Sequence, residues 1–365
     1  MREAAARATP AGMIEPVADI SADNLARFDA IIDVRSPSEF AEDRIPGAIN
    51  LPVLDDAERA LVGTIYVQES RFRARRIGAA LVARNVARHL EENLADRPPA
   101  FRPLIYCWRG GMRSNAMATI LSQIGWRVGV LAGGYKTWRR RVVEELRRSE
   151  APLNLVLLDG RTGAAKSQTL ARVAAKGGQA VDLEALAAHR GSVFGALRDA
   201  RQPSQKFFES QLWRALSAFD PARPILVEAE SARIGAITLP RRLWAAMKRA
   251  PSIVVEAPIG VRARNIVEAY RDLVADRGAI AAAIDRLAPF HPKERLEDWR
   301  ALAEAGEDAT LAADLMRVHY DPLYDRSRRR REAPTLATLR LAEISPDALD
   351  GAAAEIIRLM ARTPG

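Results

Sequence analysis

The chain has 365 residues, 48% hydrophobic and 28% charged, which supplies apolar material for two packed cores and excludes a disordered polypeptide. One cysteine excludes a disulfide framework and a thiolate-rich zinc site, and four scattered histidines form no HExxH pattern. The net charge of +9 divides as +4 over residues 1–150 and +5 over 151–365, which favours a polyanionic partner, nucleic acid first and small phosphates second, unless Arg-rich coding alone accounts for it.

In chain order, the opening MREAAARATPAG has no apolar segment of the secretory kind, so residues 1–16 are expected to be a flexible tail. No apolar run approaches the roughly 20 residues of a membrane span, which argues against a membrane partner. The free thiol fits a reducing, cytoplasmic location. Short β-rich runs then alternate with helical periodicity, the pattern of an α/β protein with parallel sheets. Strands are expected at 31–34 (IIDV), 104–107 (LIYC) and 127–131 (RVGVL), with helices at 72–90, 113–124 and 136–148. RRSEAP (147–152) reads as a linker between a domain at 17–145 and a second at 152–365. Strands resume at 153–160, 179–183, 224–230 and 252–256, and the pattern from 258 to 320 is helical throughout. RSRRRRE (326–332) is a dense charge run, read as a solvated helix face.

The stretch YCWRGGMRS (106–114) places Cys107 at a strand end, on a loop that opens a helix. Backbone N–H groups and the helix dipole converge there on whatever the sulfur carries. Gly110 and Gly111 are expected to take the positive φ values that curl such a loop. Arg109 and Arg113 add positive charge, which should lower the thiol pKa. Trp108 can stack on a base or simply pack, and the sequence leaves both readings open. A buried structural cysteine is the competing reading, but it needs neither the glycines nor the arginines. The loop resembles the active-site loop of rhodanese domains, and IIDVRSPSEFAEDRIPGAINLP (31–52) and LAGGYKTW (131–138) resemble other segments of that family. The resemblance implies a rhodanese-like domain in which Cys107 carries sulfur or its heavier analogue as a persulfide-like anion.

LNLVLLDGRTGAAKSQTL is a strand, a small-residue loop and a helix. Gly160, Lys166 and Ser167 meet the phosphate-loop pattern, while Ala165 stands where its second glycine belongs. Ala165 is expected to narrow the loop or to demand an ordinary φ, with Gly163 restoring some freedom. Lys166 would reach phosphate oxygens, the N–H groups from Thr162 onward would cradle them, and Ser167 with Glu228 is the place where Mg²⁺ would bind. No tightly held cofactor is expected. Three polar stretches are read together as the wall of the same site: Asp182, Glu184, His189, Arg190 and Ser192; Gln202, Ser204, Gln205 and Glu209; Glu228, Glu230, Ser231 and Arg233. Singly, each reads as a helix cap or a solvated turn rather than as a site.

A rhodanese-like domain joined to a P-loop NTPase-like α/β domain with a helical C-terminal region, the match spread over nearly the whole chain and including HYDPLY (319–324), resembles the bacterial tRNA 2-selenouridine synthase family. The resemblance implies a transferase acting on the anticodon loop of tRNA. There, wobble 2-thiouridine is S-geranylated by geranyl diphosphate and then converted to 2-selenouridine with selenium from selenophosphate, carried on Cys107 as a perselenide. Two other readings stand beside it: a sulfurtransferase fused to a nucleotide-dependent domain acting on small thiols, and a non-catalytic nucleotide sensor, which Ala165 would favour.

Overall fold

The computed structural model describes residues 12–190, 201–329 and 332–362. The chain divides into two compact units, Met1–Glu145 with Glu209–Ala218, and Leu146–Phe208 with Phe219–Gly365.

The first unit is built on five parallel strands: β1 (Ile14–Val17), β2 (Ala30–Asp33), β3 (Ile49–Asn50), β4 (Pro103–Tyr106) and β5 (Val128–Leu131), in the order β1-β5-β4-β2-β3. The central strands PLIY and VGVL are buried at every position, as both faces of a parallel sheet must be when helices cover them. Ile32, Val34, Ile105, Met117 and Leu121 lie in the core between sheet and helices. Ordered structure starts within the stretch expected as a tail, because Ile14–Val17 pairs in register with Val128–Leu131. Only Val17 of that strand is buried, so it carries no periodic signal. The sequence reading also passed over a helix at Asp56–Gln68, which packs on the long helix Arg71–Glu92.

The second unit holds β6 (Leu155–Asp159), β7 (Ala180–Val181), β8 (Ile225–Glu228), a small antiparallel hairpin of β9 (Arg233–Ile234) and β10 (Ile237–Thr238), β11 (Ser252–Glu256) and β12 (Thr335–Arg340). Its parallel sheet runs β12-β11-β6-β8-β7. Residues 259–329 are helical in short segments, as the periodicity indicates, and Trp299 centres their own apolar cluster. The C-terminal region is not all helix. β12 adds an edge strand none of whose residues is fully buried, which is why its pattern is weak. Helix Pro346–Met360 then packs against helix Lys166–Ala175, the one that follows the phosphate loop.

Candidate active site: two anion loops

Cys107 follows the last residue of β4 and is 4% exposed. The loop after it runs into helix Met112–Ile124, whose N-cap is Gly111. Gly111 N–H donates to Cys107 Sγ at 3.3 Å, and Ser114 Oγ lies 3.3 Å from the same sulfur. Burial pushes the thiol up, but the Ser114 hydroxyl and the N–H groups of Ser114, Gly111 and Arg109 outweigh it and hold the thiol below its ordinary value. Gly110 has φ +64°, and a Cβ there would fall 2.6 Å from Leu131 O, so only glycine fits.

Two expectations about this loop are corrected. Gly111 has φ −110°; it serves as a cap and sulfur donor rather than as a left-handed hinge. Arg113 does not face the sulfur as a lone cation but pairs with Glu39 at 2.9 Å, a carboxylate that Arg59 also holds. Arg109 is exposed. Trp108 is half-buried with its ring 5.1 Å from that of Tyr135, and the Arg35 guanidinium lies 4.1 Å over Tyr135. Arg35 is buried against Asp33, at 2.6 Å, and also donates to Asp43 O, which fixes the Asp-Val-Arg segment beneath the loop. Ser114, which the sequence reading passed over, closes the motif as the first-turn hydroxyl of the helix.

In the second unit, β6 ends at Asp159 and the loop 160–165 leads into helix Lys166–Ala175. Ala165 does not take an ordinary φ. It sits at φ +61°, ψ +34°, the left-handed conformation a glycine would adopt, with its methyl buried in the core. Such a conformation costs a non-glycine residue about 1–2 kcal/mol. The surrounding packing holds it. Asn265 Nδ2 donates to Gly163 O at 3.0 Å, and Arg262, buried and paired with Asp321 at 2.7 Å, donates to Thr162 O at 3.0 Å. Asp321 belongs to the HYDPLY segment, so that motif braces the phosphate loop. Gly163 has φ +82° and lies so close to Arg262 that a Cβ would meet its carbonyl at 2.6 Å.

Lys166 Nζ donates to Gly160 O at 2.9 Å, and Ser167 Oγ donates to Glu228 Oε1 at 3.2 Å. Glu228 Oε2 accepts the Glu184 N–H at 3.2 Å, and Glu228 is fully buried. Burial, and then the charges of Asp182, Glu184 and Glu230, push the Glu228 carboxyl well above its usual range against the pull of Lys166. Glu184 is pushed up to about 8 by burial and then by Glu230. Burial shifts His189 toward the neutral imidazole, opposed by Glu230. Arg190 pairs with Asp272 at 3.0 Å and lies 4.5 Å over the Tyr270 ring. Thr162, Gly163, Lys166, Ser167, Glu184, Arg190 and Glu230 line one cleft of about 350 Å³.

The rest of the expected wall is placed elsewhere. Gln202 binds Ala187 O, Ile234 O and Ala236 N–H, and Gln205 binds both backbone groups of Thr238; both hold the β9–β10 hairpin. Ser204 accepts Phe207 N–H at the start of helix Gln205–Ser217. Ser231 and Arg233 are exposed and bonded to each other. Asp182 caps the helix Leu183–Leu186 while adding charge beside Glu228. Glu209 falls in the first unit, paired with Arg139. Ser192 lies outside the described residues. Asn265, Arg262 and Tyr270 join the phosphate-loop cleft or its support without having been singled out in the sequence, and Tyr320 joins it from the HYDPLY segment.

A second pocket shares Thr162, Ile266, Tyr270 and Tyr320 with this cleft. Its remaining lining is almost wholly apolar: Val267, Leu273, Val274, Ile280, Leu311 and Leu315 among others. Among the described residues no helix is long and apolar enough to cross a membrane.

Comparison with known proteins accords with both loops. Residues 17–141 match the rhodanese-like domain, and residues 153–289 match the tRNA 2-selenouridine synthase AAA domain. Three proteins called tRNA 2-selenouridine synthase are similar over long stretches. The one from Aeromonas salmonicida is 39% identical over 80% of this chain and 86% of its own length. That from Shewanella denitrificans is 34% identical over 81% and 87%. That from Nitrosomonas europaea is 36% identical over 69% and 67%.

Proposed function

The chain belongs to the tRNA 2-selenouridine synthase family, and on that premise we propose that it modifies the wobble 2-thiouridine of tRNA in two steps, one at each anion loop. In the first, the 2-thio sulfur attacks the C1 carbon of geranyl diphosphate, the S–C bond forms, the C–O bond breaks and diphosphate leaves. In the second, selenium derived from selenophosphate adds at C2 of the base and expels the geranyl thiolate, a better leaving group than the thiocarbonyl sulfur it replaces. The protein is then a transferase, with tRNA and two small phosphates as its substrates.

The observation that carries this reading is the apolar pocket that abuts the phosphate loop. A nucleotide offers a polar ribose beyond its phosphates; an isoprenoid diphosphate offers hydrocarbon. The pocket provides about 80 Å³, about half the cavity that holds a benzene ring, so it takes the end of such a chain and leaves the rest against the cleft wall. Burying hydrocarbon there contributes about 0.8 kcal/mol per methylene. At the other end, Lys166 and the N–H groups of the loop would meet the charge that develops on the departing diphosphate. Ser167 and Glu228 form a hard-oxygen pair that suits Mg²⁺, an ion held by one or two carboxylates with substrate phosphates completing its shell. When bound, that ion would neutralise diphosphate charge.

Cys107 is the proposed selenium carrier. Its support is the Gly111 N–H donated to Sγ, the Ser114 hydroxyl beside it and the lowered thiol pKa, which favour an anion at that position. Making Cys–S–Se⁻ from selenophosphate breaks the P–Se bond to water, which releases phosphate, and takes two electrons from selenium; an external disulfide must accept them, since the chain has one cysteine, and the dithiol so formed returns them when selenide is released. The test is nucleoside analysis of thiolated tRNA after incubation with geranyl diphosphate, then with selenophosphate. Sequential appearance of S-geranyl-2-thiouridine and 2-selenouridine is expected; tRNA left unchanged by both reagents would overturn the reading.

A further inference from the structure

Helix Arg71–Glu92 takes no part in either anion loop, yet its outer face carries a run of arginines with no acid among them. Between residues 71 and 88 there are six arginines and no acid. All six are exposed. Arg73 pairs with Glu69, and Arg71 lies 5.5 Å over the Tyr66 ring. Among the described residues, Arg75, Arg76, Arg84 and Arg88 have no carboxylate within ion-pair distance.

The buried side of the helix is the row Ala74, Gly78, Val82, Asn85, Val86 and His89. At 100° per residue, the outer side presents Phe72, Arg73, Arg76 and Arg84, with Arg88 on its flank, separated by the exposed alanines 79, 80, 83 and 87. Alanine between arginines leaves a low surface that a backbone can approach. Arg76 and Arg88 are about 18 Å apart along the axis, a span of several phosphates. At the tip, Phe72 is 77% exposed and Val67 82%, with Tyr66 at 41%. An aromatic ring that open to water, set among unpaired arginines, is the composition of a surface that stacks a base and tracks a phosphate backbone. A protein partner of matching acidity would meet the same charge, but it gains little from an alanine-floored stripe beside one exposed ring.

We propose that the outer face of helix Arg71–Glu92, with Phe72 at its tip, is an RNA-docking surface: Arg76, Arg84 and Arg88 contact successive phosphates and Phe72 stacks on an unpaired base. This rests on the reading of the chain as a tRNA-modifying enzyme and adds where the RNA lies.

The experiment uses the full chain and unmodified tRNA transcript, with binding followed across a salt series. Wild type comes first, because failure of wild type to bind at low salt defeats the functional reading itself. Given wild-type binding, the exposed triple variant R76Q/R84Q/R88Q should weaken it at least tenfold at 0.1 M salt and lower the salt slope by about 2–3, one phosphate per arginine. The triple Lys variant, R76K/R84K/R88K, should keep both, and F72A should weaken binding about tenfold with the slope unchanged. An unchanged circular dichroism spectrum and thermal midpoint report that the Gln variant is folded. An unchanged affinity and slope in a folded Gln variant would overturn the proposal. So would a wild-type dimer that the same substitutions dissociate, since the face would then be occupied by a second copy.

Discussion

The two anion loops share a plan and differ in what supplies the charge. Each leaves the end of a buried parallel strand and enters a helix N-terminus, where unpaired N–H groups collect. At the first loop the proposed anion is covalent. The sulfur is part of the chain, Gly111 N–H donates to it, the Ser114 hydroxyl lies 3.3 Å away, and Arg113 of the same loop is already neutralised by Glu39. At the second, the chain supplies the cation, Lys166, and faces it with carboxylates that burial and mutual repulsion push upward. A helix N-terminus therefore does not set the chemistry. The side chain placed at it does: a cysteine, proposed as the loaded nucleophile, at one loop and a lysine, proposed to meet a phosphate, at the other.

The largest effect expected from this contrast is at Cys107. Cys107→Ser keeps size and hydrogen bonding but removes the thiolate, and 2-selenouridine should vanish from nucleoside digests. Normal yield would remove the carrier from the account. Next is Lys166→Ala. A charge-assisted contact to a leaving group is worth about 2–4 kcal/mol, so single-turnover geranylation should slow by roughly two to three orders of magnitude. A wild-type rate would mean that the diphosphate sits elsewhere.

A smaller effect separates tail from head at the second loop. Ile266 lines both the cleft and the apolar pocket. Ile266→Ala should raise KM for geranyl diphosphate about tenfold through lost hydrocarbon contact, while inhibition by inorganic pyrophosphate stays as it was. If both weaken together, the residue supports the loop and not the tail. Smaller again is the tuning of the sulfur. Because its donors hold the thiol below the usual value, Cys107 should alkylate with iodoacetamide at a pH where an ordinary cysteine, with pKa about 8.5, is still protonated. Removing the hydroxyl in Ser114→Ala should move that pH profile upward. A profile that stays in place would assign the tuning to the N–H groups alone. Smallest is Ala165→Gly. Relief of the left-handed strain is offset by a lost buried methyl and by glycine's greater unfolded freedom, each about 1 kcal/mol. The denaturation midpoint should barely move, and geranylation should be unchanged or modestly faster.

Both loops, and the alternation of strands and helices that places them, were legible because glycine, lysine and lone-cysteine signals are local. So was the parallel character of the sheets, since LVLLD and PLIY are apolar without alternation. What escaped is what depends on contacts distant in sequence. Arg262 and Asn265 reach back about 100 positions to brace the phosphate loop, and Asp321 holds Arg262. No pattern around residue 262 announces it. Gln202 and Gln205 have the polarity of a site but serve a hairpin, because an amide satisfies backbone groups as readily as a ligand. Ala165 shows the opposite error. Its identity argued for an ordinary backbone, and tertiary packing imposed the left-handed one. Edge strands β1 and β12 are half-exposed and lack the run of buried positions that makes a strand visible.

The central claim is that the two loops run separable half-reactions, and a crossed assay tests it most directly. Lys166→Ala and Cys107→Ser are each given thiolated tRNA with geranyl diphosphate, and separately geranylated tRNA with selenophosphate. The account predicts that Lys166→Ala fails the first and retains most of the second, while Cys107→Ser retains the first and fails the second. Loss of both steps in both folded variants, or geranylation by Lys166→Ala at the wild-type rate, would contradict it.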